Sequence, residues 1–289
     1  MGIACRLVPL RGAVAVALVM LVACAPNPVA RSAPSITRSS EAVSTSATTG
    51  PTSTELPPTD AASSTPPPSS TTVASPRWRI LARSVKGRPL RIADVGSGPR
   101  RVLWIGGIHG DEPEGKAATA ALADAFLSTG LGQTVTLTIL EDANPDGRAA
   151  STRVNANGVD LNRNFPSSNF DSSQAIFGRH PLSQPESKSV ADEVLTIKPQ
   201  LIVVCHAWIG ASFINYDGPA AALAARFSAD SGMAVRSDSR LGETTPGSLG
   251  AWAGKTVGIA VLTIEFLRGS NSTRDWQRTR NAILDVIRG

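Results

Sequence analysis

Two of the chain's three histidines stand where an apolar run gives way to a polar loop. The first lies in Gly106-Gly107-Ile108-His109-Gly110-Asp111-Glu112-Pro113-Glu114-Gly115, after the apolar run Arg101 to Gly107. Glycines let the backbone turn sharply, and the three-residue spacing lets the imidazole of His109 and the carboxylate of Glu112 project toward one point. Such a pair supplies two ligands of a tetrahedral zinc site. A catalytic zinc needs a third protein ligand and an open position for water. His206, just past the end of the apolar run Leu201 to Cys205, is the candidate. A lone histidine is more often a core residue bonded to backbone; here two of three each end a strand beside a loop, which favours the metal. His180 lacks that setting and reads as structural or surface.

Two further segments carry chemistry. Arg153-Val154-Asn155-Ala156-Asn157-Gly158-Val159-Asp160-Leu161-Asn162-Arg163-Asn164-Phe165-Pro166 holds two arginines and several amides. That composition suits a carboxylate or an oxyanion, the alternative being a solvated polar loop. Glu265 sits inside the apolar run Ala260 to Phe266. A carboxylate there is expensive to bury without a partner or a task, and the plain alternative is an inward salt bridge. Cys205, in apolar surroundings, reads as a small buried residue.

These groups need a rigid frame. Arg79 to Val85 and Arg88 to Val95 flank Lys86-Gly87 as a hairpin. Further strands are predicted over Arg101 to Gly107, Thr134 to Glu141, Gln200 to Cys205, Phe213 to Tyr216, Met233 to Arg236 and Ile259 to Phe266. Helices are predicted over Glu112 to Ser128, Gln184 to Ile197, Pro219 to Asp230 and Arg274 to Arg288. The alternation argues for an α/β fold with a mixed eight-stranded sheet and helices on both faces. Asn144 to His180 reads as one long irregular loop, and long loops inside compact domains are usually functional.

Before this domain the composition differs. Arg6 and Arg11 precede the apolar run Gly12 to Ala23, which at about a dozen residues is too short to span a membrane. Leu21-Val22-Ala23-Cys24 resembles a bacterial lipobox, with Cys24 as the lipidated residue. Of three cysteines, Cys5 falls in the basic leader and only Cys205 stays in the domain, so no internal disulfide forms. Residues 24–76 are dominated by Ser, Thr, Pro and Ala and read as a disordered stalk, of roughly 40 Å as a coil and up to about 150 Å extended. The expected organisation is a signal peptide over 1–23, anchor and stalk over 24–76, and a catalytic domain over 77–289, exported and held at the outer face of the cell membrane. The net charge of +5 suits an anionic envelope, and no basic run with interleaved aromatics points to nucleic acid.

The order His-x-x-Glu, Gly-Val-Asp-x-Asn-Arg-Asn, strand-ending His and Thr-x-Glu resembles the zinc metallocarboxypeptidases, and within them the murein peptide amidase A group. Asn144-Pro145-Asp146-Gly147, Asp217-Gly218-Pro219-Ala220 and Pro246-Gly247-Ser248 add to the resemblance, which runs over residues 80–289. It implies that His109, Glu112 and His206 bind one zinc ion and that Glu265 is the catalytic base. It also implies that Arg153 stabilises the oxyanion, that Asn162 and Arg163 clamp the substrate's free carboxylate, and that Asp160 orients a zinc-bound histidine. The chain departs from digestive members of the family at their mobile tyrosine: the only tyrosine, Tyr216, lies on another segment, and Glu243 is the occupant considered for that space. The implied reaction is exopeptidase cleavage of the γ-D-glutamyl–diaminopimelate bond in peptidoglycan peptides by a monomer. The alternatives are an aspartoacylase-type deacylase of N-acyl amino acids, which suits cytoplasmic metabolism rather than an exported chain, and a non-catalytic wall-peptide-binding lipoprotein, which would not need Glu265 and all three ligands.

Overall fold

The computed structural model describes residues 76–236 and 245–289. The leader, Cys24, the stalk and Glu243 therefore lie outside the described residues. Eight strands form one sheet: β1 (Arg77–Arg83), β2 (Pro89–Val95), β3 (Arg100–Ile105), β4 (Val135–Leu140), β5 (Leu201–Trp208), β6 (Phe213–Asp217), β7 (Ala234–Val235) and β8 (Ala260–Leu267). Their order is β1-β2-β4-β3-β5-β8-β6-β7. The centre, β4-β3-β5-β8, is parallel; β1, β2 and β6 join antiparallel, so the sheet is mixed as expected.

Alternation along the central strands divides the core in two. Val102 and Trp104 of β3, with Leu201, Val203 and Cys205 of β5, pack beneath α1 (Lys116–Leu127) and the helices 221–231 and 272–288. Leu103, Ile105, Ile202 and Val204 point the other way, toward the helix 185–197 and the segment Leu249 to Ala253. Both faces are thus covered, as buried parallel strands require. The parity also places function: His206 continues the Ile202–Val204 face of β5, and Glu265 shares that side of β8 with Val261.

Several boundaries differ from the sequence expectation. The strand expected to stop at Cys205 continues to Trp208, because pairing with β8 carries it through His206. The helix expected from Glu112 begins at Lys116, since Pro113 and Gly115 favour a turn, and this frees residues 106–115 to shape the site. The long loop contains α2 (Pro145–Ala150), capped by the Asn144 side chain on Gly147 N–H at 2.9 Å with Pro145 at its first position, and 3-10 turns at Leu161–Arg163 and Ala175–Phe177. The helices of 185–197, 221–231 and 272–288 are α3, α4 and α5. A π-helical segment, Gly250–Val257, has no counterpart in the sequence expectation. There a Cβ on Gly250 would lie 2.1 Å from Asp217 Oδ2, so the glycine lets this helix pack directly on the end of β6 while weakening any helical signal.

Candidate active site

At the carboxyl ends of β3, β5 and β8 three side chains converge. His109 Nδ1 lies 2.9 Å from Glu112 Oε1, and His206 Nδ1 lies 3.0 Å from His109 Nδ1 and 3.1 Å from Glu112 Oε2. All three residues are buried, and one donor atom from each lies within 4.8 Å of the others. The loop after β3 reaches this position because Gly110 presses on α2: a Cβ there would come within 1.9 Å of the Gly147 carbonyl carbon. Glu112 is held from the β5 side by Ala207 N–H, which donates to Oε2 at 3.0 Å.

Asp160 organises the neighbouring loop. Its Oδ1 stands 3.1 Å from His109 Nε2 and accepts Asn162 N–H at 2.9 Å, and its Oδ2 accepts from Arg153 Nε at 2.8 Å. Arg153 Nη1 also donates to Glu112 Oε1 at 3.1 Å. Burial opposes charge on His109, Glu112 and Asp160, but the carboxylates raise the His109 pKa, the two imidazoles hold Glu112 well below the usual carboxylate range, and His109 with Arg153 and Arg163 does the same for Asp160.

The donor set fits a metal ion. Two imidazole nitrogens that face each other at 3.0 Å cannot both carry a proton, so at least one lone pair points into a space that a carboxylate also faces. Asp160 accepts a hydrogen bond from His109 Nε2–H on the opposite nitrogen, which leaves the Nδ1 lone pair for a cation. Two histidines and a glutamate are a ligand set of catalytic zinc.

Glu265 lies beside this cluster. It pairs in register with His206 across β5 and β8, on the same sheet face, and its Oε2 is buried without a hydrogen-bond partner among the described residues. Burial raises its pKa, with a further push from Glu112 and partial relief from His206, His109 and Arg153. A carboxylate with a raised pKa is a stronger base than an exposed one, which suits a group that takes up a proton.

Asn162 meets the cluster at His206, and Arg163 is tied to Asn162. Asn162 Oδ1 accepts Leu249 N–H at 2.9 Å, and its Nδ2 faces His206 Nε2 at 3.3 Å. Arg163 Nη1 donates to the Asn162 carbonyl at 2.8 Å. Other amides of the loop serve as scaffold rather than facing the site: Asn164 bonds Phe177 O, His180 O and Ser187 Oγ, and Asn155 bonds Gln184 and Glu186. His180 is exposed, its ring bonds Pro181 O at 2.9 Å, and it is not part of the His109–Glu112–His206 group. Cys205 is a buried free thiol whose pKa burial raises. Tyr216 is half-buried in β6.

Sequence reasoning passed over the rim formed by Arg268, Asp111 and Glu114. Arg268 Nη2 donates to Asp111, and Glu114 Oε1 accepts Gly269 N–H at 2.7 Å. The available signal was a basic residue three positions after Glu265.

Comparison with known proteins agrees with this arrangement. Residues 77–283 match the zinc carboxypeptidase family. Murein peptide amidase A of Escherichia coli strain K12 is 28% identical over 206 residues, covering 64% of this chain and 78% of that protein. Carboxypeptidase SOL1 of Arabidopsis thaliana is 34% identical over 124 residues, but these span 38% of this chain and only 24% of the plant protein. The crystal structure of murein-tripeptide amidase from Escherichia coli O157 shares the fold with a TM-score of 0.58 and 24% identity, covering 78% of this chain and 97% of that one. Thrombin activatable fibrinolysis inhibitor shares it with a TM-score of 0.63 and 18% identity, covering 74% and 68%. With the matched region spanning the sheet, the ligand-type cluster and Glu265, the chain belongs to the zinc carboxypeptidase family.

Proposed function

We propose that the protein is a zinc-dependent amidase that cuts the γ-D-glutamyl–diaminopimelate bond of peptidoglycan peptides, anchored outside the cell through Cys24. The observation that carries the catalytic part is the convergence of His109, Glu112 and His206 beside Glu265, whose buried Oε2 has no hydrogen-bond partner among the described residues. The substrate is supported by the likeness to murein peptide amidase A, and the location by the lipobox and stalk.

In this reading His109, Glu112 and His206 hold one zinc ion. Bound there, zinc supplies a Lewis-acid centre that acidifies water and polarises a carbonyl. Asp160 keeps the His109 proton on Nε2, so that Nδ1 stays a ligand. Asn162 and Arg163 hold the free carboxylate of the departing residue, which fixes the enzyme to chain ends. Glu265 takes a proton from the attacking water and returns it to the leaving amine. Arg153 donates to the carbonyl oxygen as negative charge gathers on it. One water is consumed, and the amide becomes a carboxylate and an amine.

The test is mass spectrometry of purified muropeptides incubated with the zinc-loaded protein. The expected products from the tripeptide L-Ala-γ-D-Glu-diaminopimelate are free diaminopimelate and L-Ala-D-Glu. Intact peptide, or cleavage only at another bond, would sink the substrate assignment.

A further inference from the structure

A γ-glutamyl acyl group differs from an ordinary peptide in one charge. Its attacked carbonyl is the side-chain carboxyl carbon, so a free α-carboxylate hangs three carbons away, at roughly 5 Å by bond geometry. An α-linked residue with a neutral side chain has no anion there. An enzyme selective for the γ-linked form therefore gains from a cation on the acyl side of the metal, separate from the one that clamps the departing residue.

The rim contains such a cation. Arg268 stands one residue beyond β8, with about a third of its side chain exposed. Its Nη2 donates to the Asp111 carboxylate and, at 3.1 Å, to the Asp111 backbone carbonyl. Those two bonds fix the plane of the guanidinium. Its Nη1 is left 3.8 Å from Glu112 Oε1, beyond hydrogen-bond length, and makes no other hydrogen bond among the described residues. One edge is thus tied down and the other faces the metal-ligand cluster. Arg153 is differently placed, with Nε and Nη1 committed to Asp160 and Glu112. Arg163 is tied to the Asn162 carbonyl, and Asn162 faces His206 Nε2, whereas Arg268 Nη1 approaches Glu112 Oε1. With Arg163 assigned to the leaving residue and Arg153 tied to Asp160 and Glu112, Arg268 is the cation beside the cluster left for the acyl part.

The geometry points to Arg268, held by Asp111, as the residue that recognises the α-carboxylate of the γ-linked acyl residue. This rests on the function proposed above and names the substrate feature that the site reads. Arg suits the task because its planar fork accepts a carboxylate while Asp111 keeps it oriented. Asp111 acts through Arg268 as a positioning residue.

The test compares L-Ala-γ-D-Glu-diaminopimelate with the same peptide carrying a carboxamide in place of the D-Glu α-carboxylate. The zinc-loaded parent should prefer the carboxylate by about 10–100-fold in kcat/KM, the range of one charge-assisted pair. Arg268→Gln should bring that ratio close to one, and Arg268→Lys should retain part of it. Circular dichroism reports whether each variant is folded, and the lysine variant carries the comparison if the glutamine variant is not. A parent without preference, or an Arg268→Gln ratio equal to the parent's, overturns the assignment. If the parent hydrolyses neither peptide, the proposed reaction fails. The ratio of the two dissociation constants, measured by calorimetry on zinc-loaded protein, then decides on Arg268 by the same criteria.

Discussion

At the scale of single residues, the proposed mechanism gives two groups of side chains different work. His109, Glu112 and His206 are electron-pair donors crowded around one point, while Glu265 stands next to them with a buried oxygen and no partner among the described residues. The two roles separate by substitution. His206→Ala removes one donor of three and should abolish stoichiometric zinc, read by atomic absorption on the dialysed protein; full retention of metal would remove His206 from the ligand set. Glu265→Gln keeps the size of the side chain and leaves all three donors in place. It should lower turnover by about 10²–10⁴-fold, the usual loss of a general base, with normal zinc content. Near-normal hydrolysis by that variant would put the base elsewhere.

At the scale of elements, the site rests on parts outside the His109–Glu112–His206 cluster. The turn between β1 and β2 is tied to α2: Lys86 N–H donates to Asp146 Oδ2 at 2.9 Å, and Arg88 Nη1 to Asp146 Oδ1 at 2.6 Å. α2 in turn is the surface on which Gly110 packs, so the hairpin indirectly sets the loop that carries His109. Burial works to raise the Asp146 pKa, but the Lys86 and Arg88 bonds, with help from Ser84, outweigh it and hold the carboxyl below its ordinary value. A carboxyl depressed in the folded state adds stability that is complete above its unfolded pKa of about 4 and fades as pH falls through the folded value. Asp146→Asn should therefore cost about 1–3 kcal/mol near neutrality, measured by urea unfolding, and the gap to the parent should close as the pH drops below about 4. A gap that stays constant down to pH 2 would show that the charge contributes nothing.

At the scale of the whole molecule, the proposal joins a catalytic domain to a surface. In the proposed reading the Ser-, Thr- and Pro-rich segment 24–76 is the stalk and a single cysteine, Cys24, is the anchor. Cys24→Ser should abolish incorporation of labelled fatty acid and leave the protein either uncleaved or released from the membrane fraction. Label entering the Cys24→Ser protein would end the lipoprotein reading. Activity of the released form on soluble muropeptides should survive, because the anchor lies far along the chain from every residue of the site.

What the amino-acid sequence determined by itself was local. The apolar runs of β3, β5 and β8 marked buried strands, and His109 with Glu112 could be paired from spacing alone. Asn144-Pro145 was a helix start hidden by its likeness to a turn, since the same residues serve both. The glycines of the 250–257 segment hid a helix whose reason to exist is a contact with Asp217, more than thirty residues earlier. Only the tertiary structure decided that β8 inserts between β5 and β6, which lays Glu265 beside His206, and that Arg268 then turns back onto Asp111. These neighbours are set by pairing across crossover connections, where the energy comes from distant strands finding register. Residues 265 and 268 can report that they are costly to bury or charged, but not which partner they will meet.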